Sequence, residues 1–266
     1  MTAPDITSAT NDRIKAAVRL RDRGERDRTG QTIADGVREI GRAFDAGVEV
    51  VRAFMYEPAL DAAGMAVVAG LRERGVELLS TSESVFRKLA FGDRIEGIVA
   101  VIRQPRQSLA SLRLPASPLV VVLEGVEKPG NLGAVLRTAD GAGTDAVIVA
   151  DARTDLFNPN VIRASTGTAF SVPVAVGTSA EVHQHLVGAG VRLVAARPDA
   201  PTTYTDADLT GPLALILGTE ATGLTGAWSG PDVTAVRLPM RGVADSLNVS
   251  IAAAILLYEA ARQRQS

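Results

Sequence analysis

The stretch LPMRGVADSLNVSIAAAILLYEA, Leu238–Ala260, joins a polar loop to a helix built almost wholly of small and apolar residues. A strand that reaches Pro239 cannot continue as a central strand, because proline has no N–H to give the ladder. Gly242 admits unusual backbone angles, and Asp245, Ser246 and Asn248 each offer an oxygen that can cap a helix. From Ser250 onward, Ile251, Ala254, Ile255 and Tyr258 recur at helical spacing, with alanines between them that allow close backbone approach. Core packing accounts for such a helix. It does not account for a polar loop at the end of a strand.

Upstream of this stretch the chain is strongly α/β. LVVVLEGV, DAVIVA, VRLVAA, PLALILG and TAVRLP are near-continuous apolar runs of strand length. Helical stretches near Leu132–Gly141, Pro159–Thr166, Ala180–Val187 and Ala221–Trp228 separate them. Runs of this kind belong to a parallel sheet covered on both faces. From Asn11 to about Arg103 the pattern is more mixed. A charged helical opening is followed by a helix in DGVREIGRAFDAG, a strand in VEVVRAFMYE, a helix through VVAGLRERG and strands at VELLS and GIVAVI. Between these regions RQPRQSLASLRLPASP has prolines and no sustained period, which predicts a linker. The expected division is a smaller α/β domain at 1–105, a linker at 106–117 and a larger parallel-sheet domain at 118–266.

Composition bounds the function. At 266 residues, 46% hydrophobic and 4% aromatic, the chain has the content of a globular protein with an Ala/Val/Leu/Ile interior. A formal charge of −2 carries no global nucleic-acid signature, so an RNA partner would be held by a local patch. The absence of cysteine excludes disulfides, thiolate metal sites and cysteine nucleophiles. No signal core or bilayer-length apolar run is present, which leads to the expectation of a cytoplasmic protein with no membrane partner.

Two further segments carry candidate chemistry. LEGVEKPGNLGAVLRTADGAG reads as a strand, a tight turn at Gly130 and a helix capped by Asn131 and packed through Leu132, Val135, Leu136 and Ala139. Glu124, Asn131 and Arg137 are then expected to converge at the carboxyl end of a strand, where open α/β sheets place ligands. A plain helix cap and a solvated arginine explain the same residues. LALILGTEATGL runs a buried strand into Gly218, Thr219, Glu220 and Gly223, where the two glycines let backbone groups face a ligand and Glu220 is expected to place a carboxylate at that rim. Neither segment supplies a GxGxxG dinucleotide fingerprint. His183 and His185 lie two apart on a helix and so face different ways, and no metal is expected. Trp228 is expected to be a packing residue.

Taken together, PGNLGAVLRTAD (Pro129–Asp140), LGTEATGL (Leu217–Leu224) and the opening stretch, supported by NPNVIRASTGTAF (Asn158–Phe170), resemble in order and form the SpoU-type (TrmH-like) branch of the SPOUT RNA 2'-O-ribose methyltransferases. The resemblance covers roughly Leu119–Arg264. More loosely, IADGVREIGRAFDAGVEVVRAF resembles the L30e-like substrate-recognition domain that precedes this catalytic domain in such enzymes. The resemblance implies a deep C-terminal trefoil knot that holds S-adenosylmethionine, and a homodimer whose active sites are completed across the interface. It implies that Gly218, Leu238, Met240 and Leu247 line the cofactor pocket, and that Asn131, Arg137, Glu220, Ser246 and Asn248 form the catalytic cluster. Arg163 is expected at an RNA phosphate or supporting the dimer site. Asn160 stands where the family commonly has lysine, and Asp35-Gly36 where Glu-Gly is usual. In KAAVRLRDRGERDR, Arg21, Arg23 and Arg26 are candidate RNA contacts, with a solvated helix as the alternative.

The implied reaction is methyl transfer from a sulfonium to a ribose 2'-hydroxyl, in which the protein aligns the reacting atoms and assists loss of the hydroxyl proton. A guanidinium has an ordinary pKa near 13, and bringing one to neutrality near pH 7 costs roughly 8 kcal/mol. Arg137 is therefore read as a phosphate-positioning and oxyanion-stabilising group rather than the base. Large-subunit (23S) ribosomal RNA is the expected substrate. The alternatives are transfer RNA as substrate and a non-catalytic RNA-binding protein of the same fold.

Overall fold

The charged opening is not one helix. It breaks into α1 (Asp12–Arg19) and α2 (Arg23–Thr29), because Arg26 turns inward and donates through Nη1 to the carbonyls of Leu20 (2.9 Å) and Arg21 (2.6 Å) at the end of α1. After them come β1 (Gln31–Asp35), α3 (Val37–Asp45), β2 (Val50–Met55), α4 (Ala62–Glu73), β3 (Glu77–Ser80), α5 (Glu83–Leu89) and β4 (Ile98–Arg103). The four strands form a sheet in the order β1-β4-β2-β3, with β4 antiparallel to β1 and β2, and β3 parallel to β2. Ile14, Ile33, Phe54, Phe86 and Val99 fill its core. Strand β1 and helix α5 are additions to the sequence reading. The computed structural model describes residues 5–91, 95–219 and 223–265.

The second sheet begins at β5 (Leu119–Glu124), followed by α6 (Pro129–Ala142) and β6 (Ala146–Ala150). The chain then runs through α7 (Pro159–Ala164) and returns as β7 (Val174–Gly177), α8 (Ser179–Gly188), β8 (Arg192–Ala196), β9 (Thr202–Thr203), β10 (Leu213–Leu217), β11 (Val233–Arg237) and α9 (Val249–Arg264). All seven strands are parallel, in the order β7-β6-β5-β10-β8-β11-β9. Every residue of β5, β6 and β10 is buried, as a sheet covered on both faces requires. From β5 the chain proceeds outward through β6 and β7, whereas β10 lies on the other side of β5. The order reverses between those two strands, and ligands of open α/β sheets sit beyond such a reversal.

The chain divides into two units, Met1–Pro105 with Leu156–Ser171, and Arg106–Asp155 with Val172–Ser266. Within the first, the Thr32 hydroxyl donates to the Phe157 carbonyl (2.6 Å), and Arg42 Nη1 donates to the carbonyl and hydroxyl of Thr166, both at 2.7 Å. The stretch 106–117, read as linker, packs within the second: Val176 N–H donates to the Gln107 carbonyl (2.7 Å), and Leu112 joins the core.

Two local expectations need correction. Helix α6 starts at Pro129, whose fixed φ and missing N–H suit the first helical position, so Gly130 lies inside the helix and Asn131 is not its cap. Within Ala221–Trp228 the described residues contain a single 3-10 turn, Gly226–Trp228. In α9 the buried residues are Val249, Ala253, Leu256, Leu257 and Ala260, while Ile251 (52%) and Tyr258 (55%) are exposed. Ala254 and Ile255 are half-buried between these two sets, so the helix is apolar all round and carries two stripes that fit the same period. No described helix is long and apolar enough to cross a membrane.

Candidate active site

Two adjoining clefts lie in the second unit at the carboxyl ends of β5 and β10. One, of about 210 Å³, lies between the two strand ends and is lined by residues that include Leu123, Lys128, Asn131 and Arg153. The other, of about 340 Å³, lies toward β8 and the loop after β11. They share Leu217, Gly218, Thr219 and Val249, so the tip of β10 separates them.

Gly218 sets the shape of that tip. A Cβ built on it would stand 2.3 Å from the carbonyl carbon and oxygen of Gly223 and 2.6 Å from Leu224 N, closer than any side chain tolerates. Gly223 N–H donates to the Thr219 carbonyl (2.9 Å), and Gly223 takes the left-handed conformation at φ 64°. Backbone therefore crosses backbone here, and its polar groups reach the cleft wall without side chains in front of them.

The larger cleft gathers Gly218, Leu238, Met240 and Leu247, together with Ser246 and Asp245. Ala196, Arg197 and Pro198 at the end of β8 complete it, and the sequence reading missed them because no motif marks that strand end. Arg197 Nη2 donates to Ser229 Oγ (2.8 Å) and to the Thr225 and Trp228 carbonyls (3.3 Å each), which ties β8 to the turn after β10.

Asn131 and Asn248 meet. Asn248 caps α9, its Oδ1 accepting from Ser250 N–H (2.9 Å) and Ser250 Oγ (2.6 Å), while its Nδ2 donates to Asn131 Oδ1 (3.1 Å). Arg137 does not join them. It is exposed and lines neither cleft. Six residues at about 3.6 per turn also place it on a different side of α6 from Asn131. Glu220 lies outside the described residues.

Glu124 lines the smaller cleft with Asn131, as expected, and is a structural anchor as well. Its buried carboxylate accepts from Ser179 Oγ (2.6 Å), Thr225 N–H (2.8 Å), Thr225 Oγ1 (2.7 Å) and Trp228 Nε1 (2.9 Å). Those donors compensate the burial of a charge. They also fasten the segment after β10 to the end of β5. Trp228 is fully buried, as expected of a packing residue.

The candidate RNA contacts lie in the first unit. Arg163 Nη1 donates to the Phe91 carbonyl (2.9 Å). Arg21 Nη2 caps the end of α5 through the carbonyls of Lys88 (2.9 Å) and Leu89 (2.8 Å), and burial pulls its guanidinium pKa down against the opposing effect of Asp35. Arg26 is 1% exposed, so direct contact with RNA is corrected to a fold-internal role. Arg23 is exposed beside Asp27 at 3.6 Å. His183 Nε2 lies 2.9 Å from Asp232 Oδ2, a carboxylate partner the sequence reading did not foresee. Among the described residues no three His, Cys, Asp or Glu side chains gather as a metal site.

Comparison with known proteins agrees with this geometry. Residues 118–258 match the model of the SpoU rRNA methylase family, and residues 11–100 match the MRM3-like substrate-binding domain. The 23S rRNA (uridine(2479)-2'-O)-methyltransferase of Streptomyces viridochromogenes is 33% identical over 93% of this chain and 88% of its own. A solved RNA 2'-O ribose methyltransferase superposes with a TM-score of 0.87 at 44% identity, covering 98% of this chain and 99% of the other. An AdoMet-bound rRNA methyltransferase from Sinorhizobium meliloti does so with a TM-score of 0.87 at 30% identity, covering 97% of each. The chain belongs to the SpoU rRNA methylase family.

Proposed function

We propose that the protein is an S-adenosylmethionine-dependent RNA methyltransferase that modifies a ribose 2'-hydroxyl of large-subunit (23S) ribosomal RNA. The observation that carries this reading is the larger cleft, where Gly218, Leu238, Met240 and Leu247 meet around backbone that only glycine at 218 permits. These four residues would hold the cofactor. When bound, it supplies an electrophilic methyl group.

The rest of the machinery follows from the chain's own groups. Asn131 and Asn248, already linked, orient polar groups toward the ribose, and Ser246, which lines the larger cleft, and Glu220 are assigned to the same reaction by the family resemblance. Arg137 positions the substrate phosphate and stabilises developing oxyanion charge, while the proton leaves to phosphate or water. Because Arg137 lies away from its own chain's Asn131, a homodimer in which each site receives Arg137 from the partner is the arrangement we favour. The exposed Ile251 and Tyr258 of α9 supply an apolar surface for that pairing. A trefoil knot through the loops after β10 and β11 is part of the same reading, supported by the return of α9 from β11 to pack on β10, β5 and α6. The 1–105 region would recognise RNA, with Arg23 as its best exposed candidate among the three arginines and Arg163 in a supporting role.

Incubation with labelled S-adenosylmethionine and, separately, ribosomal subunits, deproteinised large and small rRNA, and tRNA tests the proposal. Ribose methylation is mapped by resistance to alkaline cleavage. Label in large-subunit RNA is expected. Label in tRNA alone would move the substrate assignment, and cofactor binding without transfer would favour the non-catalytic reading.

A further inference from the structure

The smaller cleft carries a charged pair, Glu127 and Arg153, that the methyl-transfer reading does not use. Leu123, Val126, Leu217 and Val249 give it apolar wall, Lys128, Asn131 and Thr219 add polar groups, and Glu127 and Arg153 form an ion pair there. At about 210 Å³ it is smaller than the roughly 300–1,000 Å³ of sites that enclose whole drug-sized ligands. Apolar wall and a small volume suit a single nucleobase unstacked from its strand, the state in which RNA bases are read.

We infer that this cleft takes the base of the target nucleotide and that Glu127 and Arg153 select guanine. The inference rests on the proposed function and names its substrate more closely. An ionised carboxylate only accepts hydrogen bonds. Guanine alone among the four bases presents two parallel donors, N1–H and the 2-amino group, at the spacing of the two carboxylate oxygens. Uracil offers one donor flanked by two carbonyls, and adenine and cytosine each set an acceptor beside their amino group. Guanine also carries the adjacent O6 and N7 acceptors that an arginine fork matches. Glu127 and Arg153 keep 57% and 66% of their side-chain surface exposed, so parting them for a base costs little. Burial of the base in this cleft sets its nucleotide beside Asn131 and next to the shared tip at Gly218.

The test uses the full-length protein, S-adenosylmethionine and a large-subunit RNA fragment carrying the mapped methylation site. The methylated nucleotide should be a guanosine. Replacing it with inosine, which lacks only the 2-amino group, should lower kcat/KM about tenfold in the wild type. In Glu127→Ala that penalty should shrink to within about twofold, because the group that reads the amino group is gone. Cofactor affinity measured on the same variant checks that it is folded, and Glu127→Gln, which keeps the side-chain volume, repeats the comparison. A mapped site that is not guanosine, or an inosine penalty unchanged in both variants, overturns the inference while leaving the methyltransferase reading intact. Absence of transfer to every RNA overturns both.

Discussion

Asn248 Nδ2 donates to Asn131 Oδ1 across 3.1 Å, joining residues 117 positions apart in the chain. The same Asn248 side chain caps α9 through Ser250. One residue thus ends a loop, starts a helix and reaches the first turn of α6. Asn248→Ser keeps a capping oxygen but is too short to span the gap. Stability from denaturant unfolding should stay within about 0.5 kcal/mol, whereas Asn248→Ala should cost about 1 kcal/mol. Methyl transfer should fall in both. Equal activity of Asn248→Ser and the wild type would show that the link has no part in the reaction.

Gly218→Ala forces a methyl group against the Gly223 carbonyl at 2.3 Å. Overpacking of this kind costs about 1–3 kcal/mol, and here the displaced atoms form the cleft wall. Calorimetric titration with S-adenosylmethionine should show affinity lost well beyond the change in stability. Gly130→Ala, where a Cβ meets nothing within 4 Å, serves as the control and should bind normally.

The arginines of the opening helices should separate cleanly. Arg23→Ala should reduce the slope of log affinity against log salt for RNA by about one, the signature of a lost phosphate contact. Arg26→Ala should instead lower the melting temperature, since it leaves the Leu20 and Arg21 carbonyls without their donor. If Arg26→Ala changed the salt slope and spared stability, its assignment to the fold would be mistaken.

Charge placed on the outer stripe of α9 probes the proposed dimer. Ile251→Asp with Tyr258→Asp should leave the monomer folded, because both side chains are more than half exposed. Sedimentation velocity should show a shift toward monomer, and transfer activity should fall with it. A fully active monomer would contradict a site completed by the partner.

Glu259 provides a pH-dependent contribution near the end of α9. The Arg262 guanidinium, then the Gln263 amide, hold its carboxyl down from 4.5 to about 2. A depressed folded pKa stabilises above the unfolded value and loses that effect as pH falls through the folded one. Glu259→Gln should therefore melt below the wild type near neutral pH, with the gap narrowing between about pH 4.5 and 2. Thermal melts across that range would show it; a gap independent of pH points to packing instead.

The parallel sheet was legible because its strands are apolar on both faces and long enough to stand apart from the helices between them. The order of PGNLGAVLR, LGTEATGL and LPMRGVADSLN carried the family. What stayed hidden was decided by tertiary contacts. In α9, Ile251/Tyr258 and Ala253/Leu257 are equally apolar stripes, and only the position of α6 and β10 chooses between them. Arg26 reads as a surface charge until Leu20 and Arg21 present carbonyls to it. Glu124 stands at a strand end where a ligand group is expected, and the donors that occupy it arrive from Ser179, Thr225 and Trp228, far along the chain.

The excursion of Leu156–Ser171 has a practical meaning for anyone who would take the protein apart. The polypeptide passes between its two units at Pro105–Arg106, at Asp155–Leu156 and again at Ser171–Val172. A protease cut or a truncation at the first junction leaves Phe157, Ile162 and Phe170 attached to the wrong fragment, stripped of the neighbours that bury them. The two units are therefore not beads that a single scission can free, and a gene fusion that swapped only the first 105 codons would have to supply a partner for that stranded segment as well.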